Sequence, residues 1–491
     1  MISSAIDCRR AGCLLHLSSL PGGCCSGGLG REAFRFVDFL EEAGLSVWQM
    51  LPVGPVGPDG SPYQAVSAHA GDPRFIDLEV LLERGWLKAL PLDEAQISDQ
   101  GRRFARALSF DGFKESATPE EREDLAAFEV GHAYWLDDYV LFQAIHDELG
   151  CGWWQWPPDL RERRPHALAE ARARLQDQIQ YLKYEQYLFF SQWRGLRDYA
   201  NAHGVRLFGD MPIFVSLDSA EVWSRRREFD LNPDGTPRVV AGVPPDYFSE
   251  SGQRWGNPLY LWERMEANGF SFWVDRMRTQ FTLFDLLRVD HFRGFESYWE
   301  IPAEEETAVQ GHWVKAPGDA LFQRLHEAFG ELPLVAEDLG VITPEVEALR
   351  KAHGLPGMKI LQFAFSGGPD NPYLPFRHEA NAVVYTGTHD NDTTLGWYLS
   401  LDDGGRHFVD DYLGHSREPM PWPLIRMALG SCAGLAVLPM QDLLGLDGTH
   451  RMNLPGTVEG NWQWRFAWEQ VPSDLAERLR RRVRIYGRLV E

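Results

Sequence analysis

The stretch LLRVDHFRGF, Leu286 to Phe295, runs from an apolar start into four titratable side chains within six positions: Arg288, Asp290, His291 and Arg293. A strand buried on both faces gains nothing in packing from such an ending. Alternation along an extended chain puts Arg288 and Asp290 on one side, His291 and Arg293 on the other. The run therefore reads as a buried strand that ends at a site. Asp290 is then a structural ion-pair acid, a metal ligand or a carboxylate placed for chemistry.

Seven other short runs share this form, each apolar and each stopping at a polar or glycine-rich turn. They are CLLHLSS from Cys13, VWQMLPVGP from Val47, VRLFGDMPIFV from Val205, PLVAEDLGV from Pro333, MKILQFAF from Met358, AVVYTGTHDND from Ala382 and LAVLPMQDLL from Leu435. Amphipathic stretches such as AFRFVDFLEEAG from Ala33 and TPEVEALRKAHG from Thr343 lie between them. Eight buried strands alternating with helices make an α/β chain that can close a (β/α)8 TIM barrel. An open doubly wound sheet competes, but no GxGxxG opens a helix here. Two connections are too long for loops and predict insertions at the C-terminal face of a single catalytic barrel spanning 1–491. Residues 60–200 are expected to form a mainly helical subdomain. Residues 216–275 are expected to form a second one, with a loop at 246–257 rich in Gly, Pro and aromatics.

Composition narrows the partners. With 48 basic and 71 acidic residues the formal net charge is −23, which repels nucleic acid and anionic membrane surfaces. Eighteen Trp, 15 Tyr and 28 Phe make the chain rich in aromatics. A well-filled core accounts for most of them, and a surplus could line a groove, since flat rings suit the apolar faces of a small neutral ligand. The six cysteines show no CxxC pair and no disulfide rhythm, as in a reducing cytosol. With no signal-like N-terminus and no long apolar run, a cytoplasmic protein is expected.

The acids carry the functional signal. Asp210, Asp290, Glu337 and Asp390 fall at the ends of the third, fourth, fifth and seventh runs, on the face where barrels build active sites. Unpaired carboxylates gathered on one rim are costly, and sites tolerate them where chemistry or a metal needs them. His16, Asp210, Asp290, His291, Glu337, Asp338, His389 and Asp390 could in principle ligate a divalent ion. There is no HxH at the first run and no HExxH anywhere, and Arg288 already supplies positive charge beside Asp290, holding it ionised. No metal and no cofactor is expected. Carboxylates without metal in an aromatic-rich mouth point to glycosidic bond chemistry. Asp290 suits a nucleophile. Glu337, following the apolar PLVA run, suits a proton donor whose pKa burial raises. Asp390, beside His389, suits a charge that steadies sugar hydroxyls and an oxocarbenium ion.

Long motifs make the resemblance specific: SPYQ at Ser61, GDMPIFV at Gly209, GVPPDYFSESGQRWGNPLY at Gly242, RVDHFRGFE at Arg288, AEDLG at Ala336 and YTGTHDNDTTLGWY at Tyr385. With these the chain resembles, over nearly its whole length, the 4-α-glucanotransferases of the amylomaltase or disproportionating type, glycoside hydrolase family 77. The resemblance implies transfer of an α-1,4-glucan segment to another glucan or to glucose through a covalent glucosyl-enzyme on Asp290. It implies Glu337 as acid and then base, and Asp390 as transition-state stabiliser. Arg288 would orient Asp290, His389 would bond the same sugar, and Asp210 would support the site. Ser61 and Tyr63 are implied donor-side contacts, and Tyr247 and Phe248 fall on a loop closing over the acceptor groove. Trp255 and Asn257 follow on that loop as binding residues. Pro58 stands where many members carry a tyrosine linked to a second glucan groove, and Gly28 where an Asp is common. The competing functions are an α-glucan hydrolase using the same carboxylates, a metal-dependent barrel hydrolase and a non-catalytic glucan-binding protein. A monomer is expected.

Overall fold

The computed structural model describes residues 6–22, 26–57, 59–90, 97–245, 249–457 and 459–490. Twelve strands occur among them, in chain order β1 (Arg10–Leu14), β2 (Val47–Gln49), β3 (Arg206–Pro212), β4 (Val239–Val243), β5 (Gln253–Pro258), β6 (Leu286–Asp290), β7 (Ser297–Pro302), β8 (His312–Lys315), β9 (Leu334–Ala336), β10 (Gly357–Ile360), β11 (Ala382–Tyr385) and β12 (Leu435–Pro439). Eight of these pair in the order β10-β11-β12-β1-β2-β3-β6-β9, every ladder parallel. The Ala336 amide donates to the Pro356 carbonyl at 2.8 Å, which ties β9 to the approach of β10 and closes the ring. This is the (β/α)8 barrel, and each of its strands overlaps one of the eight apolar runs.

The reason is burial on both faces. All residues of β1, β11 and β12 are buried, so no polar alternation is needed and the runs read as continuous hydrophobics. One face fills the barrel with Leu14, Val47, Phe208, Leu286, Val335, Met358, Ile360, Val383, Tyr385, Leu435 and Val437. The other face packs under helices, as with Trp48, Leu287 and Ala336. The Arg31–Ala43 helix shows the matching pattern, burying Ala33, Phe36, Val37, Leu40 and Ala43 at helical spacing and ending at Gly44 in the left-handed region. The first strand begins earlier than its run suggests. It takes in Arg10–Leu14, and Leu17–Ser19 forms a 3₁₀ turn instead.

Between β2 and β3 the described chain is helical, from Glu79–Glu83 through Asp99–Ser116, Pro119–Gly131 and Leu136–Leu149 to the 27-residue helix Gln176–Ala202. Thr118 opens one of these helices with a reciprocal cap to Glu121. A second, antiparallel sheet has the order β5-β4-β7-β8. Its β4 and β5 come from the connection after β3, within 216–275. Its β7 and β8 lie after β6, beyond the region that sequence marked as inserted. Edge-to-edge pairing across the intervening barrel strand joins them, a relationship with no local signature.

Candidate active site

Register places the carboxylates. Leu286 points into the barrel, so Arg288 and Asp290, two and four residues on, point the same way at its mouth. Phe208 does the same for Asp210, and Val335 for Glu337. Asp210 pairs with Arg288, and Pro212 with Asp290. On the far side Val289 pairs with Ala336, so Asp290 and Glu337 each stand one step beyond a paired residue on neighbouring strands.

Arg288 is buried and forked between two acids, donating to Asp210 at 2.6 Å and to Asp290 at 2.7 Å. Burial works against its charge, and the two carboxylates more than offset that, holding it protonated. Asp290 differs from its sequence-based expectation in one respect. Its carboxyl is pushed up to about 6, because burial and the charges of Asp210 and Asp390 outweigh the pull of Arg288 and His389. Arg288 is shared with Asp210, so it compensates Asp290 only in part. With its side chain 29% exposed, Asp290 keeps some water.

Glu337 accepts from the His291 amide at 2.8 Å and the Leu339 amide at 2.9 Å. His291 can present that amide because it turns the chain at φ 53° immediately after β6. Burial and the neighbouring Asp290 charge raise Glu337 to about 8, against the opposing pull of Arg288 and the Leu339 amide. At neutral pH the pair thus holds one proton, mostly on Glu337.

Asp390 is the most open of the three, with 45% of its side chain exposed. The Asn453 amide nitrogen bonds its Oδ1 at 2.7 Å, and Arg451 bonds its carbonyl at 2.9 Å. Tyr63 donates to Asp210 at 2.8 Å, and its oxygen is 2.8 Å from His389 Nε2. Since the single tyrosine proton goes to Asp210, His389 Nε2 donates to the tyrosine oxygen. Its ring stacks on Tyr63 and lies 3.4 Å from Asp390. Ser61 does not reach this group. Its hydroxyl accepts from the Tyr63 amide at 3.3 Å, closing the turn that delivers the tyrosine.

The structure thus brings together Asp210, Arg288, Asp290, Glu337, His389, Asp390 and Tyr63. The expected 246–257 loop gives way to strand from Gln253 on, so Trp255 and Asn257 lie on β5 and are held by its pairing with β4. Trp255 is half-buried and packs edge-on against His291 at 4.8 Å. Asn257 is buried and bonds the Val215 carbonyl at 3.0 Å, with Gln64 at 3.5 Å, so it holds loops together. Trp262 stacks on Trp273 in the core. Tyr247, Phe248 and Pro58 lie outside the described residues. Gly28 has a local reason, since an added Cβ would come within 2.9 Å of the Phe75 carbonyl. Asp338 turns away to Arg350 at 3.2 Å and the Met358 amide at 2.6 Å. Among the described residues no group of three His, Cys, Asp or Glu side chains is arranged to hold a metal ion. Sequence reasoning missed Asn453, Arg451 and Trp462, whose ring packs beside Tyr63 and His389. They lie about sixty to seventy residues past Asp390 with nothing local to mark them.

A (β/α)8 barrel with a rim of unequally protonated carboxylates defines a class, the barrel enzymes that work on glycosidic bonds. The family model for 4-alpha-glucanotransferase matches residues 15–470. The chain is 52% identical to the 4-alpha-glucanotransferase of Thermus thermophilus, covering 96% of this chain and 97% of that one. It is 46% identical to that of Synechocystis sp. over 99% of both. Among solved structures it is similar to an amylomaltase from Streptococcus agalactiae in complex with acarbose, at 35% identity and TM-score 0.93, covering 98% and 100% of the two chains. The chain belongs to the 4-alpha-glucanotransferase family, glycoside hydrolase family 77. It is an enzyme of glucan transglycosylation.

Proposed function

We propose that Asp290 attacks the anomeric carbon of the donor, Glu337 protonates the departing oxygen, and Glu337 then removes a proton from the incoming acceptor 4-hydroxyl. Asp390 and His389 grip hydroxyls of the sugar whose ring flattens in the transition state. Asp210, Arg288 and Tyr63 hold Asp290 in place. The observation that carries this is the Asp290–Glu337 pair on adjacent strands, of which Glu337 keeps the proton. Neighbouring strands are about 4.8 Å apart, which suits the roughly 5–5.5 Å carboxyl spacing of retaining enzymes rather than the wider gap of inverting ones.

The substrates are α-1,4-glucans and maltooligosaccharides, with glucose as an acceptor; the acarbose complex of the similar Streptococcus agalactiae amylomaltase supports this class of ligand. Tyr247, Phe248 and Trp255 bind the acceptor side, and the 246–257 segment limits water at the glucosyl-enzyme. Residues 60–200 and 216–275 act as inserted subdomains of one barrel. No helix of the described chain is long and apolar enough to cross a membrane. The proposed enzyme is cytoplasmic and works as a monomer, without metal. Pure maltotriose tests the reading. Transfer gives glucose together with products longer than maltotriose and no net gain of reducing ends. Shorter products alone, with rising reducing ends, would make it a hydrolase.

A further inference from the structure

Arg293 has no part in the reaction, yet it is buried and donates to the carbonyl of Val341, four residues past Glu337. Its guanidinium lies 3.7 Å over the ring of Trp313. Trp313, on the edge strand β8, is 39% exposed. A single exposed ring is ordinary and carries no information by itself. This one is held rigid from two directions. Arg293 fixes it to the segment whose His291 amide bonds Glu337. On β7 the cross-strand partner Trp299 meets it at 5.2 Å and 68°.

Trp299 also connects it to the acceptor loop. The Trp299 indole donates to the Ala308 carbonyl at 2.9 Å, and the Ala308 amide donates to the Ser251 carbonyl at 3.0 Å. Ser251 lies four residues before Trp255. Two rings are thereby anchored to one short segment after β6, Trp255 on His291 and Trp313 on Arg293, two residues apart. We infer that Trp313 is an outer acceptor platform, on which a glucose unit of a long α-1,4-glucan stacks beyond the ring of Trp255. A preordered ring loses little conformational freedom when a sugar stacks on it, and the pyranose C–H face offers a flat apolar surface to match. The proposal rests on Trp255 marking the acceptor side. Its consequence is a preference for long acceptors over glucose.

The experiment uses the whole enzyme with α-maltotriosyl fluoride as donor and labelled glucose or labelled maltohexaose as acceptor. In Trp313→Ala the ratio of kcat/KM for maltohexaose to that for glucose falls about five- to tenfold, as for loss of one aromatic stack. Trp313→Phe keeps a ring against Arg293 and loses less than about threefold. A ratio within about twofold of wild type in both variants overturns the inference, even where both rates drop together, because a purely structural role lowers both alike. Should the wild-type enzyme put no label into products from either glucose or maltohexaose, the transfer reading fails instead, independently of Trp313.

Discussion

Arg288 and Asp290 lie two residues apart on one strand and meet at 2.7 Å, yet Asp290 is not a strongly acidic carboxyl. The other arm of the same guanidinium is committed to Asp210, whose side chain is fully buried. One positive charge serving two acids leaves Asp290 ionised at neutral pH without making it inert. A nucleophile needs that balance, since a carboxylate too well stabilised attacks poorly.

Replacing Arg288 by Gln tests the sharing. Asp290 loses its opposing charge, so its pKa rises further and the acid limb of the kcat/KM profile moves to higher pH. Turnover falls by about 10²–10³. Stability falls by about 3–5 kcal/mol, because Asp210 becomes a buried charge without its partner. Chemical denaturation and a pH–rate profile measure the two effects. An unmoved acid limb would separate Arg288 from the ionisation of Asp290.

Asp290→Asn removes the nucleophile at constant volume. Turnover of maltotriose falls by several powers of ten, while the melting curve stays cooperative. A folded variant with residual activity of more than a few per cent, after exclusion of deamidation by mass spectrometry, would give the nucleophile role to another residue.

Glu337→Gln should stop reaction on natural oligosaccharides and leave α-glucosyl fluoride cleavable, since fluoride departs with little protonation. Without a base the second step stalls, and intact mass shows a glucosyl adduct on Asp290. A bell-shaped wild-type kcat/KM profile is expected. Activity is lost as pH falls through about 6, where Asp290 takes a proton, and as pH rises through about 8, where Glu337 gives one up. Both limbs belong to the coupled pair. The stability effect has the opposite sense to an ordinary salt-bridged acid. Glu337 is raised above its ordinary 4.5, so folding binds a proton, and this contribution is lost as pH rises through about 8. The Gln variant therefore loses less melting temperature than wild type between pH 5 and about 9. A parallel decline in both would contradict the assignment.

Tyr63→Phe keeps the ring stack on His389 and removes only the hydroxyl that links Asp210 to His389. A fall of about tenfold in kcat/KM is expected. Stability drops by about 1–2 kcal/mol, because Asp210 Oδ1 already lacks a partner within the described protein and Oδ2 then loses one of its two. Wild-type kinetics in this variant would make the Tyr63 link dispensable.

Several features followed from sequence because their causes are local. Burial on both faces makes each barrel strand a continuous apolar run, and alternation at period two aims Asp210, Arg288, Asp290 and Glu337 into the mouth from the interior positions below them. The long motifs around those acids carried the family. Tertiary structure alone decided what depends on chain closure. It paired β4 and β5 with β7 and β8 across the intervening β6, and brought Asn453 and Trp462 to Asp390 and His389. It buried Asn257 among loops rather than leaving it at the opening. It also set the protons. Asp290 and Glu337 are carboxyls of nearly equal intrinsic acidity, and burial raises both. The Arg288 guanidinium bonded to Asp290 but not to Glu337, together with the Asp290 charge acting on Glu337, makes one a charged nucleophile and the other an acid.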